Sequence, residues 1–158
     1  MAGTGSVTTL TRALDEAGIA YEVLEHPRTD TAAAEAAALG LEQDEVAKTI
    51  VVSGTAGNVR VVVPASERID MHKLRELLDA GKEAHLLAEG DLAREYPEFE
   101  LGAVPPVGGR DDAVIVDRRV AERSAVVLEA GTHDHSVRLA TADLVALTHA
   151  RIADVCSD

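Results

Sequence analysis

The sequence predicts a single mixed α/β domain, with a mixed and largely antiparallel sheet, a barrel-like core and helices packed around it. Its 158 residues are close to the usual size of one domain. Apolar residues make up 46% of the chain and aromatic residues only 2%, so the core must consist mainly of aliphatic side chains. Short β-branched runs are interspersed with helical patterns, without an internal repeat, which favours helices packed on a sheet. We expect residues 1–7 to form a mobile tail and residues 8–158 to form the domain.

The first third of the chain predicts a helix, a strand and a second helix. The first helix has apolar residues at i, i+3, i+4 and i+7, namely Leu10, Ala13, Leu14 and Ala17. A strand over 19–25 is closed by Pro27, because proline cannot continue a hydrogen-bonded ladder. Thr31 can cap an alanine-rich helix that runs to Leu39 and stops at Gly40.

The rest of the chain alternates strands and helices in the same way. Two β-branched runs, 48–53 and 59–63, flank a predicted hairpin loop at 54–58. Asp70 can cap a helix that ends at Gly81, with an inward stripe of Met71, Leu74, Leu77 and Leu78. Beyond it we expect, in chain order, a strand (84–88), a helical turn or two (89–95), a Gly/Pro loop (101–109), three strands (113–116, 125–129 and 135–139) and a last helix (141–147).

Charge and composition disfavour several classes of protein. The net charge of −13 and the lack of a Lys/Arg run argue against binding along a nucleic-acid backbone, which depends on phosphate contacts. Any RNA contact must therefore be local, and DNA is not an expected partner. The single cysteine, Cys156, cannot form an internal disulfide. No signal-peptide pattern or long apolar run is present, so we expect a cytoplasmic protein that does not contact a membrane.

The sequence also lacks the short motifs of several large enzyme families. It contains no G-x-x-x-x-G-K-[ST], no G-x-G-x-x-G after a strand, no H-E-x-x-H and no G-x-S-x-G. Candidate chemistry is therefore restricted to Lys48, the loop 102–109, the turn 131–135 and His26.

Lys48 directly precedes the β-branched run of its strand. One interpretation is a solvated lysine at a strand entry, whose stem covers apolar surface. The other is a fixed ammonium group that pairs with a phosphate or polarises an ester carbonyl.

The segment Gly-Ala-Val-Pro-Pro-Val-Gly-Gly at 102–109 has two stiffening prolines and several glycines. Glycines let a backbone approach a ligand closely, so the loop can present N–H donors to a developing oxyanion. The alternative interpretation is a plain connector.

His133 and His135 form an H-x-H pair, which suggests a metal site. A third ligand would have to come from a distant residue such as His26, and no supporting hydrogen-bonding pattern accompanies the pair. We therefore expect no metal and no other cofactor. His26 alone could act as a general base, but no partner for that role is apparent in the sequence.

Several short segments stand in a characteristic order along residues 8–155. They are E-H-P (25–27) before an alanine-rich helix ending L-G-L, V-A-K-T-I-V-V (46–52), V-V-V-P (61–64), D-M-H-K-L (70–74), L-G-A-V-P-P-V-G (101–108), A-V-I-V-D (113–117) and A-G-T-H-D-H-S-V-R-L (130–139). Each segment alone is weak, whereas their order and spacing are specific. On these segments the chain resembles the YbaK/EbsC family of aminoacyl-tRNA deacylases.

That resemblance implies the fold of the editing insertion of bacterial prolyl-tRNA synthetases. It also implies metal-independent hydrolysis of the ester between an amino acid and the terminal adenosine of tRNA. The expected partner is the CCA end of an aminoacyl-tRNA, with a synthetase as a second candidate. The residues implied for catalysis are Lys48, Gly102 and Gly108. Those implied for substrate binding are His26, Val104, Pro105, Pro106, Gly131, His133, Asp134 and Ser136.

Two positions depart from the family members that act on cysteinyl-tRNA. Leu24 stands where those members commonly have tyrosine, and Ser136 where they have an acidic residue that could hold the substrate's α-ammonium group. We therefore expect a broad deacylase that prefers small amino acids such as alanine or serine over cysteine. Two alternatives remain, a catalytically silent tRNA- or protein-binding relative and a metal-dependent hydrolase that uses His26, His133 and His135.

Overall fold

The computed structural model of the chain describes residues 9–78 and 83–158. The predicted tail at 1–7 and the predicted helix end at Gly81 lie outside these residues. The helices are α1 (Thr9–Glu16), α2 (Ala32–Leu39), α3 (Met71–Leu78), α4 (Glu89–Glu95), α5 (Arg118–Ala121) and α6 (Thr141–Thr148). The strands are β1 (Tyr21–Glu25), β2 (Ala47–Gly54), β3 (Gly57–Pro64), β4 (His85–Leu86), β5 (Ala113–Asp117), β6 (Ala125–Glu129), β7 (His135–Ala140) and β8 (Arg151–Ala153).

The strands form two sheets. The smaller sheet has the order β1-β7-β6 and is antiparallel throughout. The larger has the order β4-β2-β3-β5-β8, in which β3, β5 and β8 are parallel and the other pairs antiparallel. A single bridge between Val46 and Val127 joins the two sheets. The predicted mixed α/β class with largely antiparallel pairing is therefore confirmed.

An aliphatic core holds the two sheets together. Val62 and Val116 of the larger sheet share one buried cluster with Leu128 and Val137 of the smaller sheet. The other face of the smaller sheet is covered by α2, where Ala36 packs with Val46 and Val127. The part of the smaller sheet under α2 is thus covered on both faces, and Ser136 there is fully buried.

Local signals account for most of the elements. Thr31 caps α2 through its side chain, which accepts from the Ala34 N–H, and Gly40 ends the helix at φ +71°. The β2–β3 hairpin is tighter than predicted, because Gly54 pairs with Gly57 and only two residues form the turn.

Two of these helices and strands were not predicted from the sequence. The helix α5 has four residues, too few for a helical period to be visible. The strand β8 has three residues and pairs with β5 alone, so only tertiary context defines it. In the described residues no helix is long and apolar enough to cross a membrane.

Candidate active site

Backbone hydrogen bonds bring three of the predicted site segments together. The His26 N–H donates to Asp134 O (3.1 Å) and the Thr29 N–H to His133 O (3.0 Å). On the other side of the turn, the Glu100 N–H donates to Gly131 O (2.8 Å). The E-H-P segment, the entry to the Gly/Pro loop and the G-T-H-D-H turn therefore form one unit.

Gly131 and Gly102 mark where this unit is most tightly packed. Gly131 has φ +94°, and a Cβ there would lie 2.9 Å from Cδ1 of Phe99. Gly102 has φ +85°, and its Cβ would lie 3.4 Å from Cε1 of His133. Both positions thus require the left-handed conformation, and Gly131 also requires the absence of a side chain.

A buried polar network lies under α2, next to the E-H-P segment and the start of β7. Ser136 Oγ contacts both Nε2 of His26 (2.9 Å) and Oε2 of Glu35. Glu35 and Ser136 are fully buried, and His26 is 9% exposed. Burial raises the pKa of Glu35 to about 8, an effect that Glu129 reinforces and the hydrogen bond with Ser136 opposes.

The position of the protons in this network follows from its acceptors. Nδ1 of His26 faces the Pro27 carbonyl at 2.8 Å, so Nδ1 carries a proton. Ser136 has one proton to give, and two arrangements remain. Either a cationic His26 donates to Ser136 and Ser136 donates to a Glu35 carboxylate, or a protonated Glu35 donates to Ser136 and Ser136 donates to a neutral His26. The raised pKa of Glu35 favours the second, and the network is neutral overall in both.

A second buried acid repeats this pattern. His133 Nε2 lies 2.6 Å from the Leu101 carbonyl and therefore donates to it, while Nδ1 lies 3.0 Å from Oε2 of Glu129. Burial raises the pKa of Glu129 to about 8, and the charge of Glu100 adds to the shift. A protonated Glu129 that donates to Nδ1 of a neutral His133 satisfies both groups.

Neither Glu35 nor Glu129 is among the site residues predicted from the sequence. Glu35 is the one charged residue of α2, and a lone carboxyl in an otherwise apolar helix was an available signal. Glu129 ends a β-branched strand and looks like an ordinary exposed carboxylate. Its burial depends on the turn 131–133 and the loop entry folding over it, which no local pattern encodes.

The Gly/Pro loop is fixed from below by Arg60, a residue that is 1% exposed. Its guanidinium group donates to the carbonyls of Pro105 (2.8 Å), Gly108 (2.6 Å) and Arg110 (3.2 Å). It also pairs with Asp112 at 3.0 Å. The loop therefore has a defined backbone rather than being a loose connector.

The predicted loop residues occupy different places on this support. Pro105 and Pro106 are buried. Gly108 has φ +103°, and a Cβ there would lie 2.5 Å from Cγ2 of Thr9 in α1. Gly102 and Val104 instead line a cavity of about 190 Å³.

That cavity is largely apolar. Its other lining residues are Thr49, Ile50, Val51, Leu86, Leu87 and Leu92. Within the described part of the chain, the N–H groups of Gly102 and Val104 have no acceptor, whereas the Ala103 N–H donates to Glu100 O (2.9 Å). The cavity thus combines an apolar wall with two lining residues whose N–H groups have no acceptor among the described residues.

Lys48 directly precedes the three β2 residues that line the cavity. Its side chain is half-buried, and within residues 9–78 and 83–158 its ammonium group has no hydrogen-bond or ion-pair partner. Desolvation lowers the pKa of Lys48 from its usual value, an effect that Cys156 and Glu67 oppose and the charge of Arg68 reinforces. An ammonium group that is desolvated and unpaired favours an anionic ligand.

His135 differs from the other two histidines of the site. Its Nδ1 lies 2.8 Å from Oδ1 of Asp134, which also accepts from Thr132 Oγ1 (2.9 Å). These hydrogen bonds lower the pKa of Asp134.

Of the described residues, no three His, Cys, Asp or Glu side chains could hold a metal ion together. His26, His133 and His135 therefore do not form the zinc site of the metal-dependent alternative.

Comparison with known proteins identifies the fold. The sequence profile of the aminoacyl-tRNA editing domain matches residues 26–147. The chain belongs to the aminoacyl-tRNA editing domain family. The fold agrees with the crystal structure of a candidate trans-editing enzyme for prolyl-tRNA synthetase, with a TM-score of 0.87, 26% identity and coverage of 98% of this chain and 99% of that one.

Two further relatives support the assignment. A protein from Enterococcus faecalis (strain ATCC 700802 / V583), named as a candidate Cys-tRNA(Pro)/Cys-tRNA(Cys) deacylase, EbsC, is 25% identical over 122 residues. The match covers 76% of this chain and 73% of that protein. A crystal structure of a protein described as hypothetical has a TM-score of 0.85 and 28% identity, and the match covers 94% of this chain and 99% of that one. The predicted family is confirmed, and membership links the chain to aminoacyl-tRNA editing.

Within this editing domain the two departures noted in the sequence are direct neighbours. Leu24 of β1 pairs with Ser136 of β7 in the antiparallel register. Leu24 packs at the α2 cluster, and Ser136 belongs to the Glu35 network. Both departures therefore alter one place, the face of the smaller sheet under α2.

Proposed function

We propose that this editing domain hydrolyses the ester between a mischarged amino acid and the 3′-terminal adenosine of tRNA. The observation that carries the proposal is the apolar cavity lined by Gly102 and Val104, whose N–H groups have no acceptor among the described residues. It combines a site for an acyl group with donors for an oxyanion, and Lys48 directly precedes the β2 residues of its wall.

The reaction needs little beyond this arrangement, because an aminoacyl ester is already activated. Water adds to the ester carbonyl carbon, the bond from that carbon to the ribose oxygen breaks, and the ribose oxygen takes up a proton. The products are the free amino acid and a tRNA with its 3′-hydroxyl group. The neighbouring ribose hydroxyl can help to activate the water, so the protein mainly orients the ester and stabilises the oxyanion.

The residues then have distinct parts. The N–H groups of Gly102 and Val104 donate to the oxyanion, supported from below by Arg60. Lys48 binds the phosphate next to the terminal adenosine. This phosphate would be the anionic partner of an ammonium group that has no partner among the described residues. The turn 131–136 and His26 shape the amino-acid end of the site, and Gly108 remains a predicted member of the loop.

A deacylation screen tests the proposal. A panel of mischarged tRNAs with one tRNA body is incubated with wild-type protein and with Lys48→Ala. We expect Lys48→Ala to lower turnover by about ten to a thousand times, the scale of one preorganised charge contact. Lys73→Ala is the matched control, because Lys73 already pairs with Asp154 at 3.3 Å and lies in α3. Turnover by a folded Lys48→Ala protein equal to that of Lys73→Ala would disprove this role.

The same screen addresses the alternatives. Hydrolysis of no charged tRNA would favour the silent binding relative. Activity that is lost to a chelator and restored by zinc would favour a metal-dependent enzyme, whereas we expect activity to persist. The specificity is measured as kcat/KM on alanyl-, seryl- and cysteinyl-tRNA, and a clear preference for the cysteinyl ester would contradict the expected preference for small amino acids.

A further inference from the structure

A second cavity, of about 280 Å³, lies at the end of the β6–β7 hairpin opposite to the G-T-H-D-H turn. It is lined by residues 122–127, Arg138 and Glu45. None of these residues lines the cavity of the candidate active site, so the two cavities have no wall residue in common. Because Arg123 and Arg138 both line the second cavity, we refer to it as the arginine cavity.

The register of the β6–β7 hairpin brings the two arginines together. Arg138 is opposite Val127 in that register, and it shares a sheet face with Ser136, since residues two apart in a strand point to the same side. Ser136 is buried under α2, whereas the side chain of Arg138 is 39% exposed. Arg123 lies between α5 and β6, where its N–H donates to Val120 O (3.0 Å). Two guanidinium groups from different elements thus line one cavity.

These guanidinium groups have more donors than the described residues use. Only Asp44 among those residues pairs with the Arg123 side chain, at 3.4 Å, and none of them accepts from its buried Nε. Within the same part of the chain, the Arg138 side chain contacts only Glu22, through Nη1 at 3.2 Å. A guanidinium group has five N–H donors, and a buried donor nearly always has a partner. The arginine cavity can therefore supply several hydrogen bonds to an acceptor with many oxygens.

The carboxylates near the arginines do not use this capacity. Glu45 accepts a backbone N–H within its own capping box, and Glu122 pairs with Arg118 at 3.9 Å. The side chains of Asp44 and Glu22 are 58% and 61% exposed, and exposed ion pairs of this kind separate at little cost. An anion that enters the cavity can therefore replace these two carboxylates as the partner of the arginines.

We propose that the arginine cavity binds a phosphate group. Each guanidinium group can donate two parallel N–H groups to phosphate oxygens, and two guanidinium groups suit a tetrahedral anion better than a planar carboxylate. In a chain with a net charge of −13, a phosphate requires such a local concentration of cations. A backbone phosphate of tRNA and the phosphate of a small molecule have the same chemistry here, and the experiment separates these two sources. Phosphate binding does not depend on ester hydrolysis, so the inference goes beyond the proposed function.

The test is a titration of isotope-labelled protein with inorganic phosphate at constant ionic strength, followed by NMR. Wild type should show saturable amide shifts confined to residues 122–127 and Arg138, and acetate should bind about ten times more weakly. Arg123→Gln and Arg138→Gln should each weaken phosphate binding by about ten to a hundred times, the range of one hydrogen bond to a charged group. Arg94→Gln is the matched control, because Arg94 is 69% exposed, pairs with Asp91 and lies outside the cavity.

Several outcomes would overturn the inference. They are the absence of saturable shifts at the cavity, equal affinity for acetate, and unchanged phosphate binding in the two cavity variants. A loss in Arg94→Gln equal to theirs would indicate a general effect of charge and would also overturn it. Thermal unfolding checks that the variants are folded, and since Arg123 and Arg138 are both partly exposed, either variant alone decides the test.

Binding of uncharged tRNA identifies the source of the phosphate. If the phosphate belongs to tRNA, Arg123→Gln should weaken tRNA binding, lower the slope of log affinity against log salt by about one, and remove competition by inorganic phosphate. Unchanged tRNA binding, together with weakened phosphate binding, would instead assign a small phosphorylated molecule to the cavity. No hydrolysis occurs in either measurement, so failure of this inference is distinguishable from failure of the proposed function.

Discussion

Two buried polar groups flank the site, and they solve the problem of burial in opposite ways. Arg60 is 1% exposed and makes hydrogen bonds to three carbonyls and an ion pair with Asp112, while its guanidinium group lies 5.0 Å from the centre of the Tyr96 ring. Glu35 is fully buried, with one oxygen paired and the other without a hydrogen-bond partner among the described residues. Every side-chain nitrogen of Arg60 thus has a partner, and one oxygen of Glu35 does not.

The difference follows from the chemistry of the two groups. A guanidinium group stays charged at every accessible pH, so burial is tolerable only if each donor is paired. A carboxyl group can instead take up a proton and become neutral, which lowers the cost of burial. We infer that the Arg60 region acts as a rigid support, whereas the Glu35 region can respond to pH.

The largest change in stability should come from removing the Arg60 side chain. Arg60→Ala would leave three carbonyls without their donor and remove the buried guanidinium partner of Asp112, which keeps Tyr96 and Arg110, and we expect a loss of about 3–5 kcal/mol in the free energy of unfolding. Urea denaturation followed by circular dichroism measures this loss. Arg60→Lys, which keeps the charge but not the fork of donors, should lose less. A loss below about 1 kcal/mol in Arg60→Ala would show that the hydrogen bonds and ion pair of Arg60 contribute little to the stability of the fold.

The second prediction is that stability depends on pH through the buried acids Glu35 and Glu129. The pKa values of Glu35 and Glu129 are raised to about 8 in the folded chain, whereas both are near 4.3 when unfolded. Between these values folding retains protons that the unfolded chain has lost. The free energy of unfolding should therefore fall as pH rises towards 8, by about 1.4 kcal/mol per pH unit for each acid, and level off above 8.

Glutamine variants sharpen this test, because glutamine stays neutral at every pH. Glu35→Gln should become more stable than wild type by about 1–3 kcal/mol as the pH is raised from 6 to 8. Glu129→Gln should behave in the same way, and Glu22→Gln, at an exposed position of β1, should follow wild type. Parallel stability curves for wild type and both buried variants would show that neither acid is protonated in the folded chain.

Removal of the Ser136 hydroxyl group, which links Glu35 to His26, should have a smaller effect on stability. Ser136→Ala leaves Oε2 of Glu35 and Nε2 of His26 without their shared partner, at an expected cost of about 1–3 kcal/mol. Ser66→Ala, at an exposed position, should change stability by less than about 0.5 kcal/mol. Similar stabilities for the two variants would mean that Ser136 is not the link between the acid and the histidine.

Much of this arrangement could be predicted from local sequence, and the comparison shows where prediction ends. The cap at Thr31, the αL glycine at Gly40 and the β-branched runs are local signals, so the elements they define were predicted correctly. The buried charges were not predicted, because Arg60 lies among valines and Glu35 among alanines in patterns that fit either face. Their partners are 45 and 101 residues away along the chain, and only the folded chain brings them together.

The smallest predicted change in stability lies at Gly102, at the start of the Gly/Pro loop that Arg60 supports. Its backbone has φ +85°, its position lies against His133, and it lines the cavity above the Arg60-supported loop. Gly40 has φ +71° and open space around it. Alanine at either position must adopt the left-handed conformation, so Gly102→Ala and Gly40→Ala should each cost about 1 kcal/mol of stability. Only Gly102→Ala should displace an oxyanion donor, and a shift of this kind can lower kcat/KM by about a hundred times. Activity is measured at a temperature where both variants are folded, and equal activity would remove Gly102 from the site.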